Sequence, residues 1–276
     1  MTALWITLSV LGFLCLLFLF LIFPSLRRHP GRQQMDGLTV AHRGLHDLPG
    51  QSGVPENSLA AFREAVRAGI AIETDIHLTA DGEVVVFHDD TLDRMCGVSG
   101  SPETMTLAEL RALRLGGTDE VIPTFRELLD LADGKVPLLI EFKCVSRAQA
   151  AALCGKAAPM LDGYAGTYWV QSFSPFMVGW YRRHRPGVCR GQLSASFRGR
   201  PLPYRIAGCL LFNAVGRPDF VSYDHRDASH PCRRLCTALG AHPVCWTLHS
   251  QAELDAARDR AHFRTFIFEG FVPSDK

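Results

Sequence analysis

AHRGLHDLPGQSGVPENSLAAFREAVRAGIAIETDIHLTADGEVVVFHDDT, residues 41–91, sets two histidines, an arginine and two acids at the ends of short apolar runs. Leu38–Ala41 reads as a short strand that ends at His42-Arg43-Gly44. After a polar, Gly- and Pro-rich loop, Asn57 or Ser58 can cap a helix whose Leu59, Phe62 and Val66 share one face, with Gly69 ending it. Ile70–Leu78 reads as a second strand, and Asp81-Gly82 as a hairpin turn into Val84–Phe87. Apolar strands that finish in polar, chemically capable residues point to a barrel mouth or sheet edge that carries a site.

The same alternation continues to the C-terminus. Strands are predicted at Val136–Phe142, Tyr168–Gln171, Val188–Leu193, Phe220–Ser222, Val244–Thr247 and Thr265–Phe268, with helices over 146–161, 175–184, 228–239 and 251–260 between most of them. Thr106-x-x-Glu109, Thr124-x-x-Glu127 and Ser250-x-x-Glu253 are capping boxes that open periodic apolar stretches. Leaving out the hairpin arm, eight strands alternate with helices, which predicts an α/β fold, a closed (β/α)8 barrel, and 276 residues are enough for one. An open doubly wound sheet is the competing fold, but no Gly-x-Gly-x-x-Gly follows the first strand.

Residues 4–23, LWITLSVLGFLCLLFLFLIF, carry no charge and have the length of a bilayer-spanning helix. No basic residue precedes them and no small-x-small cleavage site follows, so an uncleaved anchor is expected rather than a signal peptide. Arg27, Arg28 and Arg32 come directly after, which by the positive-inside rule places the C-terminal side in the cytoplasm. Residues 1–35 are thus read as transmembrane anchor and linker, the linker running through Pro24, Pro30 and Gly31, and 36–276 as the barrel domain. Nine scattered cysteines suit buried, reduced thiols in a reducing compartment better than a disulfide framework. A formal charge of +1 argues against a nucleic-acid partner.

Glu73, Asp75 and His77 lie two apart on one strand and share a face. Two adjacent buried carboxylates repel unless a cation lies between them, and a hard divalent ion answers that; surface acids on an edge strand are the alternative. Glu141 ends the run PLLIEF on the next barrel strand and can complete a three-carboxylate site. Lys143 follows on the same face, either in a structural ion pair with Glu141 or as positive charge for an anionic substrate. His42 and His88 can serve as acid and base near neutral pH, and Arg43 can pair with a phosphate. Such an ensemble fits phosphodiester cleavage better than acyl or glycosyl transfer. His46 in the first loop, and Ser172 and Tyr223 near strand ends, are weaker candidates; Arg94 reads as structural, holding the segment after the hairpin.

The segments HRG, PEN, IETDIHLTADGEVVVFHDDTLDR and LIEFK together resemble the glycerophosphodiester phosphodiesterase family, over about residues 38–270. The resemblance implies a TIM barrel with a small insertion after the second strand, here near 90–125. It implies one divalent metal, calcium or magnesium, on Glu73, Asp75 and Glu141, with His42 and His88 as the acid–base pair and Arg43 and Lys143 on the phosphate. Trp246 matches a late-strand aromatic near the glycerol, whereas His249 stands where an Asn is common, and Glu269 is a candidate for an acid that often precedes a proline. The implied reaction is hydrolysis of glycerophosphodiesters to glycerol 3-phosphate and an alcohol. A lysophospholipase D-like activity on lysolipids, ending in a cyclic phosphate, is the rival within enzymes. An inactive, membrane-tethered binding module is the rival outside them.

Overall fold

The structure, a computed structural model, describes residues 2–48, 50 and 53–274. It opens with α1 (Thr2–Ile22), 21 residues with a mean hydropathy of 2.7 and nearly all of its surface exposed, long and apolar enough to cross a membrane. A five-residue helix, α2 (Gly31–Met35), precedes β1 (Thr39–Ala41), α3 (Leu59–Ala68), β2 (Ala71–Leu78) and the antiparallel arm β3 (Val84–Val86). Short helices α4 (Asp93–Cys96) and α5 (Leu107–Arg111) fill the segment before α6 (Phe125–Ala132). Then follow β4 (Leu138–Phe142), α7 (Arg147–Asp162), β5 (Tyr168–Ser172), α8 (Pro175–His184) and β6 (Arg190–Ser194). The chain finishes with α9 (Leu202–Gly208), α10 (Asn213–Gly216), β7 (Phe220–Asp224), α11 (Pro231–Ala238), β8 (His242–Leu248), α12 (Gln251–Asp259) and β9 (Thr265–Phe268).

Eight parallel strands close into a ring, since β1 pairs with both β2 and β9, and the order runs β1-β2-β4-β5-β6-β7-β8-β9. This is the (β/α)8 TIM barrel that the strand count predicts. Alternate residues point inward. One layer of inward side chains, Val40, Ala71, Leu139, Trp169, Cys189, Phe220, Val244 and Ile267, forms an apolar cluster in the closed end. Two residues further along β2 and β4, the inward positions are Glu73 and Glu141. The acids therefore sit directly above an apolar floor, toward the C-terminal ends of the strands. Phe220 fills that floor so fully that a Cβ at Gly191 would lie 2.0 Å from its ring, which is why β6 carries glycine there.

Residues 24–36, read from sequence as a linker, pack against the barrel. The indole N–H of Trp169 donates to Gly31 O at 2.9 Å, and Met35 is fully buried in the apolar layer, so α2 plugs the closed end. The end of α1 is tied down as well. Asn213 Nδ2 donates to Ile22 O at 2.9 Å, and Arg217 Nη1 to the carbonyls of Phe20 and Phe23 at 2.7 Å, satisfying acceptors that a helix C-terminus leaves open. All nine cysteines are free thiols.

The capping boxes at Thr106 and Thr124 form with both reciprocal bonds. At the third, Ser250 accepts from Glu253 N, but the Glu253 carboxylate takes the N–H of His249 instead of that of Ser250. The predicted helix over 228–239 starts later, at Pro231, because a 3-10 turn over His225–Asp227 occupies the strand exit. The segment after β3 packs around its own apolar cluster, including Val85, Phe87, Leu92, Leu110, Leu115 and Ile122, as the insertion near 90–125 predicts.

His242 sits at the closed end with Nε2 2.8 Å from Thr265 Oγ1. Thr265 spends its single proton on Met35 O, so the histidine must donate, and the imidazole is held neutral with Nε2–H. Burial pushes its pKa down from 6.5 to about 4. Between those values the unfolded chain binds a proton that the folded chain refuses, so this contribution is full above about pH 6.5 and is lost as pH falls toward 4. A His242→Gln variant, which keeps a donor but cannot titrate, should lose less thermal stability between pH 7 and 5 than the parent. Equal losses in thermal unfolding curves would rule out this assignment.

Candidate active site

Glu73 and Asp75 project from β2, and Glu141 from β4; Asp75 and Glu141 are direct cross-strand partners. Their oxygens lie within 4.8 Å of one another, and all three residues are buried. Lys143, two residues past Glu141, places Nζ 2.7 Å from Glu141 Oε1 and 2.9 Å from Asp75 Oδ1. Arg43 stands on the other side, with Nε 3.7 Å from Asp75 Oδ2 and Nη1 2.8 Å from Glu56 Oε1.

Three buried carboxylates against these cations do not balance. Burial, then Asp75 and Glu141, push the Glu73 pKa well above its usual range, and burial and Asp75 raise Glu141 against the pull of Lys143. Asp75 is also penalised by burial, but Lys143, His88 and Arg43 outweigh that and hold it ionised. The protein alone thus disfavours the charged form of Glu73. An all-oxygen set with surplus negative charge suits one hard divalent cation, and these three residues fit such a group. A second acidic group, Glu56, His88 and Asp89, is already neutralised, because Arg94 reaches Glu56 and Asp89 at 2.6 Å.

His42 follows β1, and its Nδ1 hydrogen-bonds to Glu269 Oε2 just beyond β9. With Nδ1 donating to the carboxylate, Nε2 carries the lone pair and points toward Glu73 Oε2 at 4.0 Å. Burial takes the His42 pKa down to about 4 despite that hydrogen bond. Burial alone would raise Glu269, but its bond to His42 brings it to about 2, so Glu269 stays ionised. His88 is held by Asp89 in the same way, at 2.6 Å, and burial also lowers its pKa. Both histidines line a cavity of about 90 Å³ with Arg43, Glu73, Glu141 and Trp246. A wider cleft of about 430 Å³ adjoins it, and His88, Glu141 and Phe173 line both.

The loop between β1 and α3 locks the site from outside. Ser58, not Asn57, caps α3, accepting from Ala61 N. Asn57 instead takes a positive φ of 51°, donates Nδ2 to Asp75 Oδ2 at 2.9 Å and accepts from Thr74 Oγ1 at 3.0 Å. Gly44 allows the turn after His42-Arg43: its φ is +83°, and a Cβ would meet the Ala61 backbone at 2.9 Å. Arg94 bridges Glu56 and Asp89, so it ties the insertion to the partners of both Arg43 and His88.

The other candidates are placed elsewhere. His77 is fully buried and bonded to Glu103 at 2.5 Å; His46 is buried beside Asp47 and does not line the cavity. Ser172 donates to Phe142 O and lines the wider cleft, whereas Tyr223 donates to Gly208 O inside the fold. His249 borders a separate cleft with Trp246 and Glu253. Gln171 is a cavity residue that the sequence reading missed, and its buried Oε1 has no protein partner. Its signal was its place two residues after the inward Trp169, on the strand beside Glu141.

Residues 42–168 match the profile of the glycerophosphoryl diester phosphodiesterase family. The chain is 39% identical over 108 residues to a glycerophosphodiester phosphodiesterase of Caldanaerobacter subterraneus subsp. tengcongensis, covering 37% of this chain and 42% of that protein. It is 34% identical over 156 residues to the lysophospholipase D GDPD1 of Rattus norvegicus, covering 51% and 48% respectively. The aligned region thus spans less than half the length of these relatives. In structure it is similar to an Oleispira antarctica phosphodiesterase solved with the product sn-glycerol-3-phosphate, at a TM-score of 0.68 and 22% identity, over 86% of this chain and 94% of the other. That likeness is one of fold.

Calorimetric titration with calcium or magnesium chloride should show one cation bound by the full chain and none by Glu73→Gln. Asn57→Ala, which removes the hydrogen bond to Asp75 together with the one from Thr74, should weaken binding by about 10–100-fold. Unchanged affinity in both variants would place the ion elsewhere.

Proposed function

Because residues 42–168 match the profile of the glycerophosphoryl diester phosphodiesterase family, we propose that this chain hydrolyses glycerophosphodiesters to glycerol 3-phosphate and an alcohol. The observation that carries the reading is the single cavity lined by Glu73, Glu141, Arg43 and two carboxylate-held histidines, with Asp75 completing the buried carboxylate cluster. A divalent ion, calcium or magnesium, on Glu73, Asp75 and Glu141 would supply charge neutralisation for the phosphoryl group. Arg43 in the cavity and Lys143 in the adjoining cleft face the anionic phosphate, and Trp246 forms an aromatic wall for the glycerol.

His42, neutral with Nε2 unprotonated, takes the proton from the attacking hydroxyl. His88, placed between the inner cavity and the outer cleft, acts as the imidazolium: with Nδ1–H held by Asp89, it gives its Nε2 proton to the departing alcohol oxygen as the bond of that oxygen to phosphorus breaks. The attacking hydroxyl belongs either to water or to the neighbouring glycerol carbon; in the second case a cyclic phosphate forms, and water opens it with the two proton transfers reversed. Residues 1–35 form an anchor and packed connector, and α1 holds the domain, 36–276, on the cytoplasmic side.

A second substrate class, lysolipids, is favoured by one observation besides the rat relative. Trp246, Phe173, Phe197 and Tyr204 form a continuous run of ring contacts, with centroids 5.8, 6.3 and 6.1 Å apart, from the cavity out to the exposed α9. Such a run offers an acyl chain an apolar path.

Release of glycerol 3-phosphate from glycerophosphocholine should require calcium or magnesium and stop with EDTA. His42→Ala should lower kcat by about 100-fold or more, and Glu73→Gln should abolish turnover, with circular dichroism unchanged. Activity retained in both variants would overturn the mechanism. Silence toward glycerophosphocholine with turnover of lysophosphatidylcholine would make the second class the principal one.

A further inference from the structure

Four guanidinium groups gather where α1 meets the barrel, at the strand ends opposite the catalytic cavity. A cavity of about 570 Å³ opens there, lined by Phe20 and Phe23 at the end of α1 and by Arg27, Arg182, Arg190 and Arg217. Arg190 is the first residue of β6, and Ser25 N donates to Pro218 O just before β7, so the position is fixed at the closed end.

The charges there do not cancel. Arg190 is fully engaged: Nε donates to Gly216 O and Nη2 to Arg217 O, each at 3.0 Å, and Nη1 stands 3.6 Å from Asp219 Oδ2. Among the described residues, no acid pairs with Arg27, Arg182 or Arg217. Arg182 Nη1 is spent on the carbonyls of Ala214 and Val215, and Arg217 Nη1 on those of Phe20 and Phe23, with the Arg217 guanidinium 4.6 Å from the Phe20 ring centroid; among the described residues, their other N–H groups make no hydrogen bond. Arg27 makes one long contact, 3.4 Å, to Pro186 O. Burial, and Arg182 after it, lower the pKa of Arg217; burial lowers that of Arg190 against the pull of Asp219.

A site with unused, converging guanidinium donors calls for an oxyanion. Its other wall is the last turn of an apolar helix, which a bare inorganic ion would leave in contact with water. One molecule satisfies both walls: an amphiphile with an anionic head at the level of the helix end and a tail that follows α1. We propose that this cavity binds the phosphate headgroup of an anionic phospholipid. The site rests on the reading of α1 as a retained membrane anchor, and basic pockets on the cytoplasmic side of a membrane helix are suited to such headgroups. It is separate from the catalytic cavity, with which it shares no residue. Bound there, the lipid would fix the angle between α1 and the barrel, because Arg217 contacts both.

The test uses the full chain in a neutral maltoside detergent, with thermal unfolding and native mass spectrometry as readouts. Phosphatidylglycerol should raise Tm and remain attached as a discrete mass adduct, while phosphatidylcholine and inorganic phosphate should do neither. Arg27→Gln combined with Arg182→Gln should weaken the lipid effect by about tenfold or more, read as the shift from each protein's own Tm in detergent alone, because Arg182→Gln also gives up the bonds to the carbonyls of Ala214 and Val215. If the double variant fails to fold, Arg27→Gln alone should reduce the shift. Equal stabilisation by phosphatidylcholine, equal stabilisation by inorganic phosphate, or an unaltered shift in a folded double variant would overturn the proposal. A membrane-extracted chain whose mass lacks α1 would overturn the anchor reading and this site with it, while leaving the hydrolysis assay unaffected.

Discussion

Burying Glu73, Asp75 and Glu141 together above an apolar floor is the constraint from which the rest of the site follows. Carboxylates removed from water must be paired, hydrogen-bonded or neutralised, and this cluster uses all three means. Lys143 bridges two of the acids, Asn57 donates to Asp75, and Arg43 closes the near side. What stays uncompensated is about one carboxylate's worth of charge, expressed in the raised pKa of Glu73. An affinity for a cation is the other face of that deficit. The protein spends stability to create it, which explains why the supports extend outward: Glu56 holds Arg43, Arg94 holds Glu56, and the insertion holds Arg94 in place.

The barrel was legible because its strands alternate. Apolar runs of similar length, each followed by a helix, leave few other ways to bury both faces of a sheet. The acids were legible for the same reason, since Glu73, Asp75 and Glu141 interrupt runs that are otherwise apolar. What escaped the reading depends on contacts between distant parts of the chain. Glu269 was left open because nothing local tells that it meets His42 at the seam where β9 closes on β1. Asn57 looked like one of two helix caps, and only the ring of strands brings it to Asp75. Gln171 lacked any charge to draw notice. The connector at 24–36 has the Pro and Gly content of a loop, yet Gly31 is needed there because Trp169 approaches its backbone closely.

Both histidines share one arrangement: a carboxylate fixes Nδ1 and leaves Nε2 for the cavity. The two partners differ in reach. Asp89 is the next residue to His88, so that orientation is built locally, whereas Glu269 requires the entire barrel to be closed before His42 is aligned. Competence at His42 is therefore a property of the finished fold, and a chain with an open seam between β1 and β9 would lack it.

The plug at the closed end settles a question of access. α2, Met35 and the docked end of α1 all occupy the N-terminal ends of the strands, and the reacting groups lie at the other end. If α1 spans a bilayer, the catalytic opening is turned toward the aqueous side, above the lipid surface by roughly the height of a barrel strand, on the order of 20 Å. A molecule embedded in the leaflet beside α1 would have to leave it to be cleaved. On the proposed function, the tether would then act less as a means of grazing the membrane than as a way of stationing the barrel where water-soluble diesters and monomerically dispersed lysolipids leave it, so that turnover would follow their free concentration near the surface rather than lipid packing within it.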